Sequence, residues 1–177
     1  MIDRGYSPPV ELARVRNIAL VVGALLIVIL LLGLFLNRDQ FFHAYLVGFI
    51  FWTGITAGSL ALLCLQHLTG GAWGLVIRRV LEATTRTLPL MIVLFLPIAF
   101  GLKHIYAWTH SEVMQQSPAL QDKAAHYLNP SLFILRAAIY FGIWLVIAGL
   151  LNRLSLQQDR APTSRLRKQM QMLSGPG

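Results

Sequence analysis

Long apolar runs separated by short polar breaks make up most of this chain, and their lengths predict its elements. Crossing a hydrocarbon layer as a helix takes about 20 apolar residues, and four runs qualify. The first covers 18–36, without a charge or a strongly polar group. The second covers about 41–65 and is interrupted only by small or weakly polar residues such as Thr53, Thr56 and Ser59. The third, 88–107, carries Pro97 in its interior, and the fourth, 132–151, contains Arg136. Helices follow because an isolated sheet in lipid would leave backbone groups unpaired. The expected fold is therefore an all-α membrane protein with four transmembrane helices in a bundle. The first run is too long for the apolar part of a secretory signal and no small-residue cleavage pattern follows it, so it reads as a retained anchor.

Composition supports the same class. Of the 177 residues, 56% are hydrophobic and only 12% charged, about half the charged share of ordinary globular domains. That balance excludes a water-soluble enzyme, and the single Cys64 excludes an internal disulfide framework. The formal charge of +8 does not point to nucleic acid, because the basic residues lie between apolar runs rather than on a soluble basic face. They act as topology signals instead. Eleven Lys and Arg fall in the N-terminal segment, the second loop and the C-terminal tail; three, Arg38, Lys103 and Lys123, fall on the opposite side. Both termini and the second loop are thereby predicted cytoplasmic, as in a multi-pass protein of a bacterial inner membrane.

The second loop has a pattern of its own. Trp73, Val76, Ile77 and Val80 recur at helical spacing, with Arg78, Glu82 and Arg86 four apart on another face. An amphipathic helix on the cytoplasmic interface, with Trp73 at headgroup depth, is expected; a helical stalk continuing the second span is the alternative. The outer loop, roughly 108–130, carries His110 and His126, and 153–177 reads as a basic cytoplasmic tail. Its Gly175-Pro176-Gly177 end suggests that further helices follow.

Polar groups inside the spans are the candidates for chemistry, since an Arg or Lys at mid-membrane costs about 2.5–3.5 kcal/mol on insertion scales. His43 opens span two; Lys103, His104 and Tyr106 close span three; Arg136 and Tyr140 lie near the outer end of span four. Three helices thus bring ionisable or hydroxyl groups to one outer layer. Gly54, Ala57, Gly58 and Ala61 share a stripe with His43 and predict close helix packing on that side. Arg136 and Tyr140, an i, i+4 pair, are placed to partner each other. On the inner side, Thr53, Thr56, Ser59 and His67 form a candidate proton path. The plainer alternatives are snorkelling and interfacial belt positions for the outer groups, hydroxyls bonded back to their own helix, and a polar cap at Gln66-His67. No metal site is expected: CxxC, CxxCH and HExxH spacings are missing, and a haem held between His43 and His104 is the weaker reading of those residues.

Two blocks are more specific than any of these patterns. One runs Phe42-His43-Ala44-Tyr45-Leu46-Val47-Gly48-Phe49, continues through Trp52-Thr53-Gly54-Ile55 and ends at Gly58-Ser59-Leu60-Ala61-Leu62-Leu63. The other is His67-Leu68-Thr69-Gly70-Gly71-Ala72-Trp73-Gly74-Leu75-Val76-Ile77-Arg78-Arg79. Together they resemble the second NrfD-like membrane subunit (ActF type) of alternative complex III, a quinol:cytochrome c or quinol:electron-acceptor oxidoreductase, over spans two to four. The resemblance implies the first half of an NrfD-like fold and a subunit inactive on its own. Its partners would be a multihaem cytochrome, an iron–sulfur subunit and an NrfD-like sister subunit, all in membrane lipid. It also implies a role in quinol binding, proton conduction or both, with haem and iron–sulfur carried by the partners and none in this chain. A scaffold without quinone chemistry and a small four-span transporter or channel subunit are the alternatives.

Overall fold

The computed structural model describes residues 10–70, 74, 76–106, 109, 129–161 and 163–175. Among them every regular element is a helix: α1 (Val10–Leu36), α2 (Arg38–Thr69), α3 (Arg78–Thr85), α4 (Leu88–Phe100), α5 (Leu102–Ile105), α6 (Pro130–Arg160) and α7 (Ser164–Ser174). Three stretches, Leu12–Leu36, Arg38–Thr69 and Pro130–Arg160, are long and apolar enough to cross a membrane, and α3 with α4 makes a fourth if the bent pair counts as one span. The chain divides into two compact units, 1–42 and 43–177.

In the first unit α1 is apolar on all sides from Ile18 onward, and none of its described side chains is buried. Asn37 then caps the next helix, its Oδ1 accepting from the Gln40 N–H at 3.1 Å. In the second unit α6 packs against α7, α4 and α3. An apolar core gathers Leu60, Leu63 and Cys64 from α2, Leu81 from α3, Leu88 from α4, Ile147, Ala148 and Leu151 from α6, and Met170 from α7. Beyond it runs a column of rings: Phe95 stands 5.9 Å from Phe49, 5.8 Å from Phe141 and 6.0 Å from Phe133, and Phe133 meets Tyr106 at 5.6 Å. Tyr45 crosses from α2 to donate to the Leu94 carbonyl at 2.7 Å.

Three segments take a more specific form than their sequence patterns describe. Span three is not one continuous helix over 88–107. It breaks at Gly101, whose N–H bonds the Pro97 and Ile98 carbonyls, before the short α5 resumes; Pro97 removes a helical donor one turn earlier. A 41° bend also separates α4 from α3. The second-loop helix covers Arg78–Thr85 among the described residues. Val76 and Val80 are exposed, whereas Leu81, Glu82 and Thr85 are buried. The basic segment after 152 is helical over most of its described length: α6 continues to Arg160, and α7 folds back with Met170 and Ser174 buried. Trp73, His110, Lys123 and His126 lie outside the described residues.

The charge asymmetry is checked directly by fusion reporters. Alkaline phosphatase fused after Gly177 should be inactive and green fluorescent protein there should fluoresce, while phosphatase inserted at 115 should be active.

Candidate functional site

The most developed polar site gathers where α2, α3, α6 and α7 end, and it begins with spacing. Arg78, Arg79 and Glu82 fall on neighbouring positions of α3, and Asn152, Ser155 and Asp159 form one ladder on α6. At 1.5 Å per residue, the 32 residues of α2 and 31 of α6 extend about 46–48 Å, well beyond a hydrocarbon layer of about 30 Å. The two ladders therefore meet past the predicted ends of the spans.

Glu82 sits at the centre with a side chain 3% exposed. It accepts from Arg78 Nε at 2.8 Å, from Arg79 at 2.7 Å and from the Ser155 hydroxyl. Arg78 also donates to Ser155 Oγ, and Arg79 pairs with Asp159. Two guanidinium groups thus face two carboxylates. Burial pushes the Glu82 carboxyl up, but the bonds from Ser155 and Arg78, with the charge of Arg78, outweigh it and hold the group below the ordinary carboxylate value. One turn further on, Asn152 Nδ2 donates to Thr85 Oγ1 at 3.0 Å, and that hydroxyl donates to the Glu82 carbonyl at 2.8 Å.

Beside this network lies a cavity of about 360 Å³, lined by Gln66, His67, Gly70, Arg78, Gln158, Arg167, Met170 and Gln171. Two glycines shape it. Gly70, at φ +67°, closes α2 with its N–H on the Gln66 carbonyl. Gly74 is buried against Gln66 so closely that a Cβ would overlap the Gln66 side chain. A second, apolar groove of about 820 Å³ opens between α2 and α3–α4 along Trp52, Ile55, Val80, Leu90 and Leu94. Thr56 and Thr87, with hydroxyls 3.1 Å apart, lie on its wall, and Arg79 lines it too.

The outer-layer residues are arranged otherwise. His43, Lys103 and Tyr140 are exposed, while His104, Tyr106 and Arg136 are half-buried. Tyr106 packs edge-on to Phe133, and Tyr140 stacks on Trp144 at 6.5 Å rather than bonding Arg136. None of the cavities described above is lined by these six residues. Among the described residues of the second unit the small-residue stripe is uncovered: Gly54, Gly58 and Ala61 are exposed, Ala57 is half-buried, and nothing lies within 4 Å of a Cβ built at either glycine. Among the inner candidates, Thr56 and Ser59 donate back to Trp52 and Ile55 at 3.0 and 2.8 Å, while Thr53 Oγ1 is buried without a partner. Buried Leu63 and Cys64 separate these hydroxyls from His67. Arg78, Arg79, Ser155, Asp159 and Gln158 were not among the residues expected to form a site. Their sequence signal is the pair of matched ladders, legible only once α3 and α6 are known to touch.

Among the described residues no group of three or more His, Cys, Asp or Glu is placed to hold a metal ion. No protein-family model matches the chain, and no curated protein matches it.

Two outcomes follow from the buried carboxylate. Glu82→Gln leaves two guanidinium groups under-compensated and should lower stability by about 3–5 kcal/mol, read as thermal unfolding in detergent; Val80→Ala, on the exposed side of α3, should cost less than about 1 kcal/mol. Because the folded carboxyl titrates below its ordinary 4.5, its contribution should be complete above that pH and lost as pH falls below it. The Glu82→Gln protein should lack that acid-side loss.

Proposed function

We propose that this chain is an integral membrane subunit of a quinol:electron-acceptor oxidoreductase of the alternative complex III type, working within an assembly and not alone. The observation that carries the subunit reading is the uncovered Gly54–Gly58 stripe on α2. Small residues at that spacing suit close approach of another helix, and no described helix of the second unit takes the place. The redox assignment rests on the sequence blocks around 42–63 and 67–79.

Within that assembly, the groove between α2 and α3–α4 suits a quinol better than the outer polar layer does. A quinol ring needs largely apolar walls with a few hydrogen-bonding groups. The groove offers these through Trp52, Leu90 and Leu94, with the Thr56 and Thr87 hydroxyls. His43, Tyr140 and Lys103 are exposed and line neither this groove nor the polar cavity. For proton transfer the inner network is the stronger candidate, because His67, Gln66 and Arg78 share one polar cavity.

Purification of the tagged chain from its native membrane in mild detergent should bring haem absorbance and iron–sulfur protein with it, together with quinol oxidation. A haem-free monomer would overturn the assignment. In the assembled complex, Thr56→Val with Thr87→Val should raise the KM for quinol several-fold, and His43→Ala with Arg136→Ala should change it less. The reverse ranking returns the quinol to the outer layer. His67→Ala should leave electron transfer intact while lowering proton translocation.

A further inference from the structure

The cavity at the inner ends of α2, α3, α6 and α7 contains more hydrogen-bonding capacity than the protein uses. Gln66 and His67 are 6% and 9% exposed, and Gln66 Oε1, His67 Nε2 and Gln158 Oε1 are all buried without a partner among the described residues. All three residues line the same space. Unsatisfied groups of this kind are costly to bury and are rare without a ligand or ordered solvent to meet them. We propose that this cavity binds the phosphate-bearing headgroup of an anionic, hydroxylated glycerophospholipid from the inner leaflet.

Charge, chemistry and depth lead to that occupant. Arg78, Arg79 and Arg167 stand against Glu82 and Asp159, which leaves one positive charge in excess. Arg78 and Arg79 are committed to the carboxylates, whereas Arg167 is in no ion pair among the described residues and stands exposed on the cavity wall. An anion is favoured over a cation, and a phosphodiester accepts from Arg167 and from the His67 ring N–H. A phosphodiester alone donates to nothing. Headgroup hydroxyls supply the donors that Gln66 Oε1 and Gln158 Oε1 lack. The surplus length of α2 and α6 over the hydrocarbon thickness puts the site at headgroup depth. The positive-inside asymmetry puts it in the cytoplasmic leaflet, where anionic lipids and basic pockets between helices meet. This inference needs the membrane orientation and does not need the redox assignment.

The test uses the full chain, in whatever complex it purifies with, delipidated in detergent and read by thermal shift and native mass spectrometry. Phosphatidylglycerol should bind and raise the melting temperature, and phosphatidylcholine should do neither. Arg167→Gln should weaken phosphatidylglycerol binding roughly tenfold, the scale of one charge-assisted hydrogen bond. Arg160→Gln, an exposed arginine outside the cavity, should leave it unchanged, which separates a site from a general effect of positive charge. Equal binding of the two lipids, or an Arg167→Gln protein that binds like the parent, overturns the proposal. Equal stabilisation by inorganic phosphate or glycerol 3-phosphate, lost in Arg167→Gln, overturns the lipid as occupant and leaves a soluble phosphate ester in its place.

Discussion

A carboxylate buried between α3 and α6 sets the terms for the end of the second unit where α2 stops and α7 folds back. Glu82 is compensated only while Arg78 and Arg79 stay on the same turn of α3 and Ser155 is brought across from α6. Removing a charge from water costs several kcal/mol, so the partners must all be in place together. That requirement fixes the rotation of α3, the contact between α3 and α6, and the side of α6 that faces inward. Asp159 extends the same condition one turn further through Arg79.

The consequences spread from there. With its polar side turned in, α3 leaves Val80 outside, as the turn before it leaves Val76, an arrangement costly in water and harmless against acyl chains. The 41° bend between α3 and α4 helps open the groove lined by Trp52, Thr56 and Thr87. The helix α7 closes the other side, seating Met170 in the apolar core and the Ser174 hydroxyl beside Cys64. Its return brings Arg167 and Gln171 to the cavity that Gln66 and His67 line. One electrostatic constraint thereby organises both an apolar groove and a polar cavity.

The two halves of the second unit are held differently. Toward the inner end, leucines from α2, α3, α4 and α6 pack beneath the charged network. Toward the other end, the rings of Phe49, Phe95, Phe133 and Phe141 stack around one another, with Tyr45 tied to the Leu94 carbonyl. Neither layer covers Gly54 or Gly58. His43, Lys103, His104, Tyr106, Arg136 and Tyr140 are likewise spread over exposed and half-buried positions.

Much of this was legible in the residues. Run length and the absence of charge determined the helical membrane class and the long apolar elements, because backbone groups in lipid must be satisfied within the segment. The Lys and Arg distribution set the expected orientation. Pro97 stood out inside the third run, which breaks one turn later at Gly101. What the residues left open was which face of each helix is inside. A 3.6-residue period divides a helix into two faces, but in a membrane either may be buried, since lipid accepts the apolar one. The choice for α3 depended on Ser155 and Asp159, more than seventy positions away. The same is true of the cavity: Gln66, Gln158 and Arg167 sit on three helices with no local pattern joining them, and only packing brings them to one wall.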